Sequence, residues 1–308
     1  MTIRHLKIFI AVVETGKMNA AAKQLYITQP SVSQAVQELE AHYHTLLFQR
    51  HAKKLYITES GKILYSYAKP VVSQFDQLEE NMLTQKHREK YHLGATVSVG
   101  GSILSPLVKR IYEVFPDIDV HTFVGNTKEI EEKLLNMELD AGIVEGIIKS
   151  PDLITIPLLK DPLVLACSKN HPLASKKTLH VEDLKNQNFA IREQGSGTRE
   201  LLERFLSFFG IQIHVVLEAH TPDSIKNAVR FNQCLTLISA RLLEPELKSN
   251  EFVAYSSQGS LWNRSFRLVY HKRNYKMPYL DSLKEIIHSC GNQTSMDELI
   301  YGRLIEQP

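Results

Sequence analysis

Apolar side chains recur at helical spacing at Leu6, Ile8, Phe9, Val12 and Val13, and the stripe stops at Gly16, a residue suited to a left-handed cap. A second, shorter helical pattern follows, in which Ala21 and Ala22 are small enough to let a neighbouring helix approach closely and Asn19 is placed to cap it. The run Tyr26-Ile27-Thr28 makes a turn. Thr28 or Gln29 can cap the next helix, and Pro30 suits its first position, where a backbone N–H would have no partner anyway. On that third helix Val32, Ala35, Val36 and Leu39 share one face, while Ser31, Ser33, Gln34 and Gln37 point outward near its N-terminal half. Two short helices across a tight break, the second with small polar groups turned out, imply a helix-turn-helix that reads base edges in a DNA major groove.

Alternation at Leu55, Tyr56 and Ile57 predicts a short strand, and Arg50, Lys53 and Lys54 fall on the turn before it. A wing there would reach phosphate or the minor groove and supply much of the affinity. The candidate DNA contacts are therefore Thr28, Gln29, Pro30, Ser31, Ser33, Gln34, Gln37, Arg50, Lys53 and Lys54.

One long helical pattern follows, from Thr58 to about Lys86. Leu64, Ala68, Val71, Phe75, Leu78 and Met82 are spaced as a heptad seam, with Pro70 inside it. A single helix cannot bury such a stripe, so a second copy of the chain is the expected partner, and a two-fold pair of readers would recognise a pseudo-palindrome. The charged run at 86–90 reads as a hinge.

Beyond it the pattern alternates between strands and helices. Strands are expected at 93–99, 118–124 and 141–144, with helices at 103–114 and 128–137 between them. A second set has strands at 163–168, 189–192, 213–217 and 235–238 and helices near 198–209, 222–231 and 241–247. A strand at 265–270 can return to the first set, followed by a helix at 278–288. Two α/β lobes crossed twice by the chain describe a hinged receptor with a cleft. Helix starts at Gly100-Gly101-Ser102, Asn126-Thr127, Gly195-Ser196-Gly197-Thr198 and Thr221-Pro222 would aim free N–H groups into that cleft, an arrangement that favours an anion. In the tail, Met296, Leu299, Ile300 and Leu304 have helical spacing, so a docked helix and a disordered end are both open.

Charge sharpens this division. Up to Thr58 seven basic residues face three acidic ones, a surplus of +4 in a chain whose total is only +2, which leaves the remainder at −2. A basic head on a slightly acidic body is the footprint of a nucleic-acid module joined to something else. No apolar run approaches the roughly 20 residues of a bilayer span, so no membrane association is expected. Arg4, His5, Lys7 and Glu14 interrupt any signal-peptide core, which predicts a cytoplasmic location. Cys167, Cys234 and Cys290 are too far apart for a zinc cluster and are expected as free thiols. Ser196 lies outside any nucleophile-elbow pattern and no zinc or phosphate-loop motif occurs, so neither an enzyme nor a cofactor is expected.

The residues Ala21-Ala22 with Leu25, Gln29-Pro30-Ser31-Val32-Ser33, Leu39-Glu40, Leu47-Phe48-Gln49-Arg50 and Thr58-Glu59-Ser60-Gly61 resemble the N-terminal signature of LysR-type transcriptional regulators. The resemblance covers about sixty residues. It departs at Gly16-Lys17-Met18, where members have Gly-Ser-Phe, at Tyr43-His44, where they have an aliphatic-glycine pair, and at 231–234, where they have a glycine-containing turn. The resemblance implies an N-terminal all-α winged helix-turn-helix at 1–58, a linker and dimerisation helix at 59–89, and a two-lobed α/β regulatory domain like a periplasmic binding protein at 90–291. Lobe I would take 90–161 and 266–291, lobe II 162–265, and 292–308 would be a tail. It further implies a dimer or tetramer on promoter DNA, contact with RNA polymerase, and a small effector in the cleft. Thr96, Ser98, Ser102, Thr127, Gly195, Ser196, Gly197, Thr198 and Thr221 are its candidate contacts, with Arg192 and His220 as charge partners; Glu145 ends a strand at the cleft, where it would repel an anion unless it binds a cationic or hydroxyl group.

Overall fold

The computed structural model describes residues 1–51, 54–83, 89–257, 259, 262–273, 278–290 and 299–306. Two compact units divide the chain, Met1–His87 with Asn136–Glu138, and Arg88–Leu135 with Leu139–Pro308.

The first unit opens with α1 (Ile3–Thr15), α2 (Met18–Gln24) and α3 (Gln29–Tyr43). Gly16 ends α1 in the left-handed region at φ 67°, as its stripe predicts. Lys17, not Asn19, occupies the cap of α2, and Asn19 lies inside the helix. Phe9, Val12, Ala21, Val32 and Leu39 close into one core with Leu47 and Phe48, and the Phe9 and Phe48 rings lie 5.4 Å apart. The Glu40 carboxylate accepts the backbone N–H groups of Leu47 at 2.8 Å and Phe48 at 3.1 Å, which ties α3 to the wing. His44 ends α3 at φ 52°, and Gln233 sits at φ 50°. His44 stands where the family pattern carries glycine and Gln233 lies within the turn where that pattern includes one, and both adopt the conformation glycine enters without strain.

The wing is a hairpin of β1 (Phe48–His51) and β2 (Lys54–Ile57). The sequence predicts only its second strand and puts Arg50 and Lys54 on the turn, yet both belong to the strands that flank it. Lys53 lies outside the described residues. Next comes α4 (Glu59–Leu83), which starts one residue later than predicted and has Pro70 inside it, while its predicted end at about Lys86 lies outside the described residues. Its stripe divides. Ala68 is buried in the head's own core with Leu64 packed beside it, while Val71, Leu78 (56% exposed) and Met82 (76%) face solvent along with Ile63 and Tyr67. The head claims the seam's first two residues, while Val71, Leu78 and Met82 of the predicted seam stay on the exposed apolar face. Most of the predicted charged hinge lies outside the described residues, and its end opens a strand.

In the second unit, β3 (Glu89–Thr96), β4 (Ile118–Gly125) and β5 (Ala141–Val144) are parallel, and β13 (Ser265–His271) returns antiparallel between β5 and β6 (Leu153–Lys160). The strand predicted at 93–99 stops at Thr96, where the backbone turns into a short helix, α5 (Val97–Gly100), ahead of α6 (Leu104–Val114). On either face of this sheet lie α7 (Thr127–Leu135), and α6 with the C-terminal helix (Pro278–Cys290). The other lobe has the order β11 (Thr236–Ser239), β7 (Leu163–Ser168), β12 (Phe252–Ser257), β14 (Gly302–Ile305), β8 (Thr178–His180). A parallel pair, β9 (Asn188–Arg192) and β10 (His214–Ala219), adjoins α8 (Gly197–Phe209) and α9 (Pro222–Phe231). The sequence reading misses β6, β8 and β12, and its helix at 241–247 is a 3₁₀ turn followed by the five-residue helix Glu244–Lys248.

The tail corrects a larger expectation. Over 302–305 it is a strand: β14 pairs in parallel with both β12 and β8, with Leu304 fully buried and Leu299 and Ile300 packed on the opposite cluster. Met296 lies outside the described residues. A side chain at Gly302 would put its Cβ 2.4 Å from the Lys177 carbonyl oxygen, so only glycine passes there. Because the helix before it packs in lobe I, the chain crosses between lobes three times, not twice.

Candidate DNA-reading face and inter-lobe site

The cap of α3 is Thr28. Its Oγ1 accepts the Ser31 N–H at 3.4 Å and lies 2.8 Å from the Ser31 hydroxyl, which fixes the angle at which the helix begins. The preceding turn holds Tyr26 at φ 54° with 97% of its surface exposed. Ser31 and Ser33 are half-buried, and Thr28, Pro30, Gln34 and Gln37 are exposed. Gln34 is not idle: its Nε2 donates to Glu38 Oε1 at 2.9 Å, and His5 Nε2 lies 2.7 Å from Glu38 Oε2. The hydrogen bonds from Gln34 and then His5 hold the Glu38 carboxyl below its ordinary value. The sequence reading overlooks this arrangement, although the four-residue spacing of Gln34 and Glu38 is visible in the chain.

In the second unit the predicted effector residues fall into separate environments. Thr96 and Ser98 are buried where β3 meets α5, and both donate to Glu145, Ser98 Oγ at 3.0 Å from Oε1 and Thr96 Oγ1 to Oε2. Ser102 donates to the Ser98 carbonyl at 2.6 Å. Thr127 opens α7, whose start is held by reciprocal bonds, Asn126 N–H to Glu129 Oε2 at 2.7 Å and Glu129 N–H to Asn126 Oδ1 at 3.0 Å. The Thr127 side chain is only 5% exposed as a residue, and its hydroxyl has no hydrogen-bond partner among the described residues.

Across from it, Gly195 takes φ +89° and Gly197 starts α8. A Cβ on Gly197 would lie 2.5 Å from Gly146 Cα, so the two lobes meet there backbone to backbone. Arg264, on the second crossing, donates from Nε to Asp161 Oδ2 at 2.7 Å, with Nη2 2.5 Å from the same oxygen in an ion pair, and from Nη1 to Thr198 Oγ1 at 2.7 Å; Nη1 lies 3.9 Å from Glu145 Oε1. Asp161, on the first crossing, also accepts from Ser239 at 2.5 Å. Burial pushes the Asp161 carboxyl up, against the pull of Arg264. Neither Arg264 nor Asp161 figures in the sequence reading.

The predicted charge partners are otherwise engaged. Arg192 is buried in a bidentate pair with Glu193 at 2.7 and 2.8 Å, and His220 is 78% exposed with Nδ1 3.9 Å from that same carboxylate. Thr221 caps α9 by accepting the Ser224 N–H at 3.3 Å. Two clefts flank the closed centre. One of about 930 Å³ is lined by Gly100, Gly101, Ser102, Pro222, Lys226 and Arg241 among others, and one of about 620 Å³ by Thr127, Lys149, Gly195, Ser196, Arg199 and Glu200 among others. Among the described residues no cluster of His, Cys, Asp and Glu could hold a metal, and no helix is long and apolar enough to cross a membrane. Cys167 and Cys234 are buried free thiols, the former pushed up to about 12 by burial.

A winged helix-turn-helix and a two-lobed receptor in one chain define a ligand-responsive, DNA-binding transcriptional regulator. Residues 3–62 match the bacterial regulatory helix-turn-helix of the lysR family and residues 84–290 match the LysR substrate binding domain, so the chain belongs to the LysR family. It is 34% identical over 248 residues to the HTH-type transcriptional regulator CysL of Bacillus subtilis, spanning 80% of this chain and 83% of that protein. It is 28% identical over 272 residues to the HTH-type transcriptional activator CmpR of Synechocystis, spanning 88% and 90%. A full-length OxyR variant from Pseudomonas aeruginosa shares the fold at a TM-score of 0.64 and 18% identity, over 96% of this chain and 99% of that one. The Synechocystis CcmR regulatory domain in complex with 2-PG does so at 0.60 and 23%, over 67% and 99%.

Proposed function

We propose that this regulator binds pseudo-palindromic promoter DNA as a dimer or tetramer and that a small anionic effector held between its lobes controls the geometry of binding. The observation that carries the effector reading is Thr127: a buried hydroxyl without a hydrogen-bond partner among the described residues, beside the 620 Å³ cleft that Ser196 and the start of α8 also line. Such a group costs free energy unless something hydrogen-bonds to it. The CcmR fold neighbour, solved with 2-PG, supports a small ligand in this type of domain. Effector binding shifts the relative placement of the paired heads, alters DNA bending and so changes contact with RNA polymerase; it does this only through unequal affinity for the two arrangements.

A ligand is found by thermal-shift screening of carboxylates, sulfur oxyanions, phosphates and amino acids with the full chain. Thr127→Val combined with Ser196→Ala then abolishes the response to that ligand and leaves DNA affinity unchanged in gel-shift titration. An unchanged response removes these residues from the site.

Assembly rests on the exposed face of α4. Leu78→Asp places a charge in the middle of it and yields monomers by sedimentation, with footprints shortened to one half-site. A persistent dimer assigns assembly to another surface.

A further inference from the structure

The sequence sets Glu145 at the cleft as a carboxylate that would repel an anion, and the structure shows what it holds there. Thr96 and Ser98 are the hydroxyl pair expected to receive an anion, and each has one proton to donate. Both protons go to the Glu145 carboxylate, at 3.0 Å from Ser98. Arg264 pairs with Asp161, donating to it from Nε, donates to Thr198 from Nη1, and stands 3.9 Å from Glu145. Asp161 is fully buried, and Arg241 approaches it at 3.8 Å. An oxyanion seated on the hydroxyl pair would have to expel Glu145 or lie against it, and the nearby guanidinium is already paired with the Asp161 carboxylate. Hydroxyls and helix starts by themselves favour anions; the carboxylate placed among them reverses that preference at this point.

We propose that Glu145 is an internal ligand of the inter-lobe site, which keeps small oxyanions off the Thr96–Ser98 pair and requires the effector to present a hydrogen-bond donor there. This rests on the inter-lobe reading above and refines it. The effector is a small acid that also carries an ammonium or hydroxyl group: the acid meets Thr127 and Ser196 at the start of α8, and the donor meets Glu145, the residue adjoining Gly146 at the lobe contact.

The test compares full-length wild type with Glu145→Gln, following the melting temperature in sodium sulfate and potassium phosphate against chloride at matched ionic strength. Wild type responds to neither anion beyond the chloride control. Glu145→Gln, which keeps the shape and removes the charge, gains a saturable stabilisation with at least tenfold tighter apparent binding. Adding Thr96→Val and Ser98→Ala to that variant cancels the gain. Should Glu145→Gln fail to fold, Glu145→Thr carries the same readouts.

Equal stabilisation of wild type and variant, or no response from either, overturns the proposal. The two failures are separable. Sulfate binding by wild type that disappears with Thr96→Val and Ser98→Ala removes the filter but leaves the inter-lobe pocket as the effector site. A gained response that survives loss of both hydroxyls places the anion elsewhere and removes both.

Discussion

The outward face of α3 and the inter-lobe site are built from similar side chains and hold them in opposite ways. On α3, Gln34 and Gln37 are exposed, and the Gln34–Glu38 bond is one that water can replace. Between the lobes, Thr96, Ser98, Glu145, Asp161, Thr198 and Arg264 are all buried and bonded to one another. Exposed polar groups keep their hydrogen-bonding capacity for a partner that arrives later. Buried ones commit that capacity during folding, so a ligand entering among them must either match an orphan such as the Thr127 hydroxyl or displace a bond already made.

The largest effect expected from this contrast is at Arg264. Arg264→Ala leaves the Asp161 carboxylate without its guanidinium partner in a buried setting, and removal of one member of a buried pair costs about 3–5 kcal/mol. Urea unfolding followed on the second unit measures it. Arg264→Met combined with Asp161→Leu recovers most of the loss, because both charges are then gone and the volume is filled. A loss below about 1 kcal/mol for the single change, the range of exposed pairs, would mean that water reaches the crossing and that the contrast with α3 is false.

The same contrast explains what the chain discloses before folding. Helical stripes are local, so α1, α3, α6 and α9 can be read from Leu6 to Val12, Val32 to Leu39, and the caps at Thr28 and Thr221. The capping pair Asn126 and Glu129 is legible because its members are three residues apart. The Arg264–Asp161 pair is not, since its partners lie 103 residues apart on two different crossings and neither interrupts a periodic pattern. Glu145 is visible as a strand end, but not as the acceptor of Thr96 and Ser98, because that depends on β3 and β5 lying side by side. The tail fails for another reason. Leu299, Ile300 and Leu304 fit a helical spacing, while the alternation of Gly302 and Leu304 inward with Arg303 and Ile305 outward spans too few residues to outweigh it. The α4 stripe is legible, but periodicity does not say whether its own domain or a second copy covers each part, and the head takes Leu64 and Ala68.

The smallest effect on stability is expected on α3, and there the effect on recognition is the one that matters. Gln34 donates to Glu38 across one helical turn, an exposed pair worth a few tenths of a kcal/mol, so Gln34→Ala leaves stability within about 0.5 kcal/mol of wild type. To bind an adenine bidentately the Gln34 amide must turn its Nε2 from Glu38 to the base, exchanging a weak exposed bond for a paired one. Losing that pair costs about 1–3 kcal/mol of discrimination at one base-pair position. The measurement is a set of gel-shift titrations of wild type and Gln34→Ala at one salt concentration, using the operator and its single-base variants. A preference that collapses at one position per half-site, with affinity for random DNA unchanged, identifies Gln34 as a base reader. An equal loss on every sequence would make it a phosphate contact, and the exposed face of α3 would then position the protein without reading the base that Gln34 faces.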